Sequence, residues 1–279
     1  MYSFSLEESF SNNQLEYILF PFIDENGVPL KNSPKCGLTL CSAGSMRFRW
    51  NENNPVRDKV LKNIENNLGS NGDYNFIPVQ LEHTKIVYPV NSLEDTKNKI
   101  GDGILTLNRN LIPTVTVADC VPIYLFNKKT GLFGIVHSGW KGTGIGAEAL
   151  KLAKNKFDSD SEDFFVVIGP HIKSCCYIVN EERAKYFSDN FTPECVSPLE
   201  SDLYSSVTWN NGGGKLFRLS LDKANVAMFR KFGVPDNHIA VCSDCTCCSC
   251  NNIYGSNRRE TSASGKPDQF TVMAAFISY

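Results

Sequence analysis

The chain has 279 residues, 42% of them hydrophobic and 21% charged, and a net charge of −2. This balance fits a soluble globular protein with a sizeable core and excludes the basic surface that nucleic acid or an anionic membrane would demand. No apolar stretch is long enough to span a bilayer, and the opening MYSFSLEESF lacks the basic start and apolar run of a secretion signal.

In chain order, residues 14–23, 37–42 and 46–50 read as strands joined by polar turns. Residues 55–68 have helical spacing through Val56, Val60, Leu61, Ile64 and Leu68. Strand patterns follow at 76–81, 85–90 and 104–107. Three more occupy 114–118, 122–126 and 132–137, the last two joined by the hairpin-like Asn127-Lys128-Lys129-Thr130-Gly131. A Gly-rich loop, 138–146, leads into a helix over 145–157. Residues 164–168 form a buried-looking strand. Helices are expected over 180–190, with Asn180 as cap, and over 220–232, with Ser220 as cap and Gly233 as terminator. Gly212-Gly213-Gly214 reads as a flexible break, and 239–242 and 270–277 as strands. Alternating strands and helices with no repeat or clear linker predict one α/β domain with a mixed sheet.

Cys120 sits just past one of these strands, with Asp119 beside it and Pro122 keeping it out of an uninterrupted ladder. His137 closes another strand, and His83 stands at a junction between two. Each has a plain reading as a packed core side chain. Together they can also form a His₂Cys set, and three protein ligands with an open fourth position suit a catalytic zinc. The loop containing Lys141, Gly142 and Gly144 precedes a helix and offers N–H groups, a helix dipole and a cation for an anion or phosphate. It is equally readable as a tight strand-to-helix turn. Ser256 and Arg258-Arg259 place two guanidiniums together, either for phosphate contact or as solvated surface.

Eleven cysteines, an odd number without a secretion signal, argue for reduced thiols and a cytoplasmic location. Cys242, Cys245, Cys247, Cys248 and Cys250 form a dense cluster able to bind zinc or copper(I), or simply to remain as reduced thiols. With no second pair at ribbon-like distance, a standard zinc ribbon is not expected. Cys175-Cys176 reads as adjacent packed side chains.

Ala118-Asp119-Cys120-Val121-Pro122 and His137-Ser138-Gly139-Trp140-Lys141-Gly142 resemble the ADCxP…HxGW[RK]G signature of the YfiH/laccase-domain family. Asp102-Gly103, Gly169-Pro170-His171-Ile172 with Cys175-Cys176-Tyr177, Asp222 with Ala224-Asn225, and Cys245-Thr246…Ser256…Arg258-Arg259…Gly265-Lys266 are similar to further family motifs, in the family's order. The resemblance runs from about residue 76 onward and leaves 1–70 as a divergent N-terminal part of the same domain.

The resemblance implies an α/β/α sandwich, distantly like the deamidase domain of cytotoxic necrotizing factor toxins. It implies a zinc on His83, Cys120 and His137. It also implies phosphorolysis of adenosine, inosine and methylthioadenosine, together with adenosine deamination. The partners would then be purine nucleosides and inorganic phosphate. Asp119 is the expected acid–base group, with phosphate contacts from Lys141, Gly142, Gly144, Ser256 and Arg258. The chain departs from the family pattern at Leu81 and Thr84 around the first ligand, at Ile178 where a carboxylate is usual, and at Lys141 where Arg is commoner.

Three other readings stand beside this one. Cys120 with His137 can serve a cysteine hydrolase or deamidase, or an amide hydrolase acting on a cell-wall precursor. The thiol cluster can belong to a non-enzymatic metal-binding protein. A multicopper oxidase is not expected, because four histidines cannot furnish its copper centres.

Overall fold

The computed structural model describes residues 1–7, 15–69, 74–200, 203 and 214–279, which form three sheets. In spatial order the largest holds β1 (Tyr2–Phe4), β14 (Ile239–Cys242), β10 (Phe164–Ile168), β8 (Val121–Asn127), β9 (Phe133–Ser138), β6 (Gly103–Thr106) and β5 (Val87–Val90). The second holds β2 (Tyr17–Pro21), β3 (Lys35–Thr39), β15 (Met273–Ser278), β7 (Leu111–Val117) and β4 (Asn75–Pro78). A small third sheet joins β11 (Ile178–Asn180), β13 (Leu216–Leu219) and β12 (Val196–Pro198). Both larger sheets are mixed: β10 runs parallel to β14 but antiparallel to β8, and β7 runs parallel to β4 but antiparallel to β15.

Side-chain alternation sets the layers. On β8, Val121, Ile123 and Leu125 pack with Ala149 and Leu150 of α2 (Ile145–Phe157) and Ala224 and Phe229 of α4 (Leu221–Lys231). Tyr124 and Phe126 point the other way, against Leu38, Val115 and Ala275 of the second sheet. The second sheet's outer face carries Ile112, Ala274 and Phe276 onto Val60 and Ile64 of α1 (Pro55–Leu68). Helices therefore flank the strands on both sides, as the sandwich expectation requires, and the middle of the sandwich is two sheets packed face to face. Tyr124 crosses that interface fully buried, and its hydroxyl donates to Gly37 O at 2.8 Å, so its own polar atom is not stranded in the apolar layer.

The helices expected to start at Asn180 and Ser220 do so, and α1 has a cap of the same kind. Asn54 accepts from Arg57 N ahead of Pro55, Asn180 from Arg183 N ahead of α3 (Glu181–Asn190), and Ser220 from Lys223 N ahead of α4. Residues 46–50 do not form the expected strand. Their apolar positions pack instead on one another and on α1: Phe48 meets Trp50 edge-on at 5.0 Å and lies under Arg57 at 5.2 Å. Strands β1, β11, β12 and β13 and helix α5 (Asn257–Ser264) were not expected. Gly212 and Gly213 of the expected break lie outside the described residues. No helix among the described residues is long and apolar enough to cross a membrane.

Candidate metal centre and active-site cavity

Strand β7 ends at Val117, and Asp119, at a φ of 78°, turns the chain so that Cys120 stands at the mouth of β8. His137 lies opposite Pro122 on β9, which brings it beside Cys120. His83 arrives from the β4–β5 connection, at a φ of 57°. The ligand atoms of these three residues lie within 4.8 Å of one another. Cys120 Sγ is 3.9 Å from His83 Nε2, and the two imidazole rings meet edge-on at 5.0 Å.

One buried carboxylate fixes both histidines. Asp102 Oδ1 accepts from His83 N at 3.1 Å and bonds His137 Nδ1 at 2.8 Å. Its Oδ2 accepts from both the amide and the hydroxyl of Thr84, each at 2.6 Å. Burial works against the charge, but the bonds from His137 and Thr84 win and hold the carboxyl below its usual range. With Nδ1 donating to Asp102, the lone pair of His137 is on Nε2, turned away from Asp102, which is the usual support for a metal-binding histidine. Gly139 completes the fit. A Cβ there would stand 2.7 Å from the His83 ring and 3.1 Å from Cys120 Sγ, so the His-x-Gly spacing leaves room for the other two ligands.

Burial alone would raise the Cys120 thiol, yet the charges and hydrogen bonds of His137 and His83 bring it down to about 6. Burial likewise would lower His137, but Cys120 and Asp102 push it up to about 9. A thiolate, two imidazoles, a supporting carboxylate and one side facing a cavity fit a zinc of the catalytic kind.

The cavity holds about 440 Å³ and is lined by the three candidate ligands, Asp119, and a ring of cations and aromatics that includes Arg47, Phe48, Arg49, Tyr177, Arg258 and Phe270. Asp119 is buried. Its Oδ1 accepts from Thr246 Oγ1 and its Oδ2 from Arg258 N, both at 2.6 Å. Burial raises its carboxyl above the usual range. Arg258 reaches the cavity from the first turn of α5, and Ser256 accepts from Arg259 N as that helix's cap. Ser256 therefore positions Arg258 without lining the cavity. Lys141 is exposed beside Trp140, and Gly142 and Gly144 are buried; none of the three lines the cavity.

A family model described as "Multi-copper polyphenol oxidoreductase laccase" matches residues 51–274. The chain belongs to this laccase-domain family. Among its curated relatives, a purine nucleoside phosphorylase YlmD of Geobacillus stearothermophilus is 33% identical over 178 residues, covering 63% of this chain and 59% of that protein. A purine nucleoside phosphorylase of Clostridium acetobutylicum is 33% identical over 175 residues, covering 62% of this chain and 66% of that one. The matched segment thus spans less than two thirds of either relative. The solved structure of YlmD from Geobacillus stearothermophilus superposes with a TM-score of 0.73 at 26% identity, covering 90% of this chain and 94% of that one. The Bacillus licheniformis protein YfiH gives the same TM-score at 24% identity, covering 88% and 92%, and bears on the fold alone.

The sequence reading missed Asp102 as the shared support of both histidines, and Arg47 and Arg49 as cavity walls. Asp102 was visible only as part of the Asp102-Gly103 family element. Arg47 and Arg49 alternate with Phe48 and Trp50, which is the pattern of a half-buried strand and carries no mark of a pocket.

Proposed function

We propose that the chain is a zinc-dependent purine nucleoside phosphorylase acting on adenosine, inosine and methylthioadenosine, with adenosine deaminase activity. The observation that carries this reading is the meeting of His83, Cys120 and His137 at one wall of a cavity whose other walls offer Arg47, Arg49 and Arg258. The relatives named purine nucleoside phosphorylase support it.

Bound zinc would supply Lewis acidity at the open side of the three ligands. The protein's own groups do the rest. Asp102 holds His137 in the ligating tautomer. Arg258, Arg47 and Arg49 neutralise the incoming phosphate, and their planar forks suit its oxygens. Phe48, Tyr177 and Phe270 offer flat apolar surface to a purine and help keep water out. Asp119 lines the cavity, and a raised carboxyl suits a group that takes and returns a proton during deamination. The test is metal-replete protein with inosine and inorganic phosphate. The expected products are hypoxanthine and ribose 1-phosphate; hypoxanthine released equally well without phosphate would overturn phosphorolysis.

Two imidazoles and a thiolate also occur at copper sites that add a weak methionine ligand. No methionine lines this cavity. Elemental analysis of the purified protein is expected to find zinc, and a strong blue thiolate-to-copper absorbance would reverse the assignment. The pairing of a thiolate at about 6 with an imidazolium at about 9 also favours a second reading, a cysteine nucleophile with His137 as its base. Chelation separates the two, since a cysteine hydrolase keeps its activity without metal.

A further inference from the structure

Four of the ten cysteines outside the cavity converge on a second point. Cys175 and Cys176 lie in the segment after β10, and Cys245 and Cys248 follow β14. Although about seventy residues separate the pairs, the backbone joins their loops: His171 and Cys245 form a parallel bridge, and Thr246 N donates to His171 O at 3.1 Å. The Sγ atoms of Cys175, Cys176, Cys245 and Cys248 all lie within 4.8 Å of one another. Cys175 and Cys248 are 3.7 Å apart. A disulfide needs about 2.05 Å, whereas a tetrahedral zinc with sulfurs at about 2.3 Å separates them by about 3.8 Å. The spacing is that of a tetrahedron's edge. The pair that the Cys-x-x-Cys of residues 245–248 lacks along the chain is supplied in space by Cys175-Cys176.

The surroundings suit a site of high negative charge. Lys173 N donates to Cys245 Sγ at 3.4 Å. Arg218 donates to Cys175 O at 3.1 Å, Arg258 to Cys176 O at 3.4 Å, and Arg259 to Thr246 O at 2.6 Å. These guanidiniums fix the carbonyls beside three of the cysteines and place positive charge around a four-thiolate centre, whose net charge with a divalent ion is −2.

We infer that Cys175, Cys176, Cys245 and Cys248 form a second metal site, a closed tetrathiolate zinc centre with a structural role, distinct from the open His83–Cys120–His137 site. Binding deprotonates the thiols still protonated and releases up to four protons. Its place in the fold gives it a task. Tyr177 follows Cys176 directly, and Arg258 bonds Cys176 O, so the centre braces two of the cavity's walls.

The experiment uses full-length protein purified under reducing, anaerobic conditions. With both sites filled, the parent is expected to hold about two zinc ions per chain and a His83→Ala/Cys120→Ala variant about one. Cobalt(II) loaded into that variant should give the intense thiolate charge-transfer and tetrahedral ligand-field bands of an all-sulfur site. These bands should be lost in a further Cys245→Ser change. If that variant does not fold, Cys248→Ser, at an exposed ligand, should retain the fold by circular dichroism and bind cobalt at least about tenfold more weakly. The inference is overturned if the His83→Ala/Cys120→Ala protein folds but holds no zinc, if its cobalt spectrum lacks thiolate bands, or if Cys248→Ser binds cobalt unchanged. It is equally overturned if alkylation of fresh lysate and mass mapping find these cysteines in disulfides. Because the readouts are metal content and spectra, they are independent of whether the cavity performs phosphorolysis.

Discussion

At the level of single residues, His83 separates the zinc mechanism from the cysteine nucleophile. It is one of three ligands in the first and at most an orienting partner of Cys120 in the second. His83→Ala is expected to lose metal and turnover together, and removing zinc from the parent should abolish turnover reversibly. Full activity in a metal-free preparation, with Cys120 trapped by an alkylating agent, would leave the nucleophile standing. Asp102→Asn keeps the shape but turns an amide toward groups that donate, and it should weaken metal binding by about 10–100-fold in a competitive chelator titration. The sign of the pH effect follows from the metal-free pair. Between about 6 and about 9, Cys120 is a thiolate and His137 an imidazolium. Metal must displace the imidazolium proton, so affinity should rise with pH up to about 9. Below about 6 the thiol is protonated as well, and affinity should fall more steeply. Calorimetry in buffers of different ionisation enthalpy at pH 7.5 should detect about one proton released by this pair per metal bound. Cys120 and His137 were readable as candidates because each ends a run of apolar alternation. Asp102 was not, because its partner lies thirty-five positions away and only the β6–β9 pairing shows that they meet.

At the level of elements, helix ends were legible and sheet partners were not. Asn180 and Ser220 announce their helices through local hydrogen bonds, so sequence alone locates them. Helix α5 escaped because no residue in it is buried and its run Asn257–Ser264 has no apolar stripe; polar bonds hold it, among them its cap, Arg258 N to Asp119, Arg259 to Thr246 O and Tyr254 O, and Thr271 N to Glu260. Under the proposed function it aims Arg258 into the cavity. Ser256→Ala should therefore cost about 1 kcal/mol of stability and also raise the KM for phosphate. Arg258→Ala should raise that KM by about tenfold or more, the scale of a lost charge-assisted hydrogen bond, and nucleoside KM should move less. Lys141→Ala, outside the cavity, is the control, and phosphate saturation curves for these variants decide between the arginine wall and the glycine loop.

At the level of the whole molecule, the apolar runs of β8 and β10 predicted strands but could not say that one face meets helices and the other a second sheet. Periodicity reports that a face is covered, and the identity of the cover depends on pairings between distant segments. The order of the second sheet has a consequence of its own. Strand β15, last of this sheet in chain order, lies between β3 and β7 and pairs with both. Until residues 273–278 have been made, β3 and β7 have no common neighbour, and the layer beneath Tyr124 lacks Met273, Ala275 and Ile277. The cavity wall at Phe270 and Val272 is missing as well. Assembly of the complete cavity thus waits for residues 270–278, and a nascent chain stalled before them should leave its central sheet open to protease in limited proteolysis.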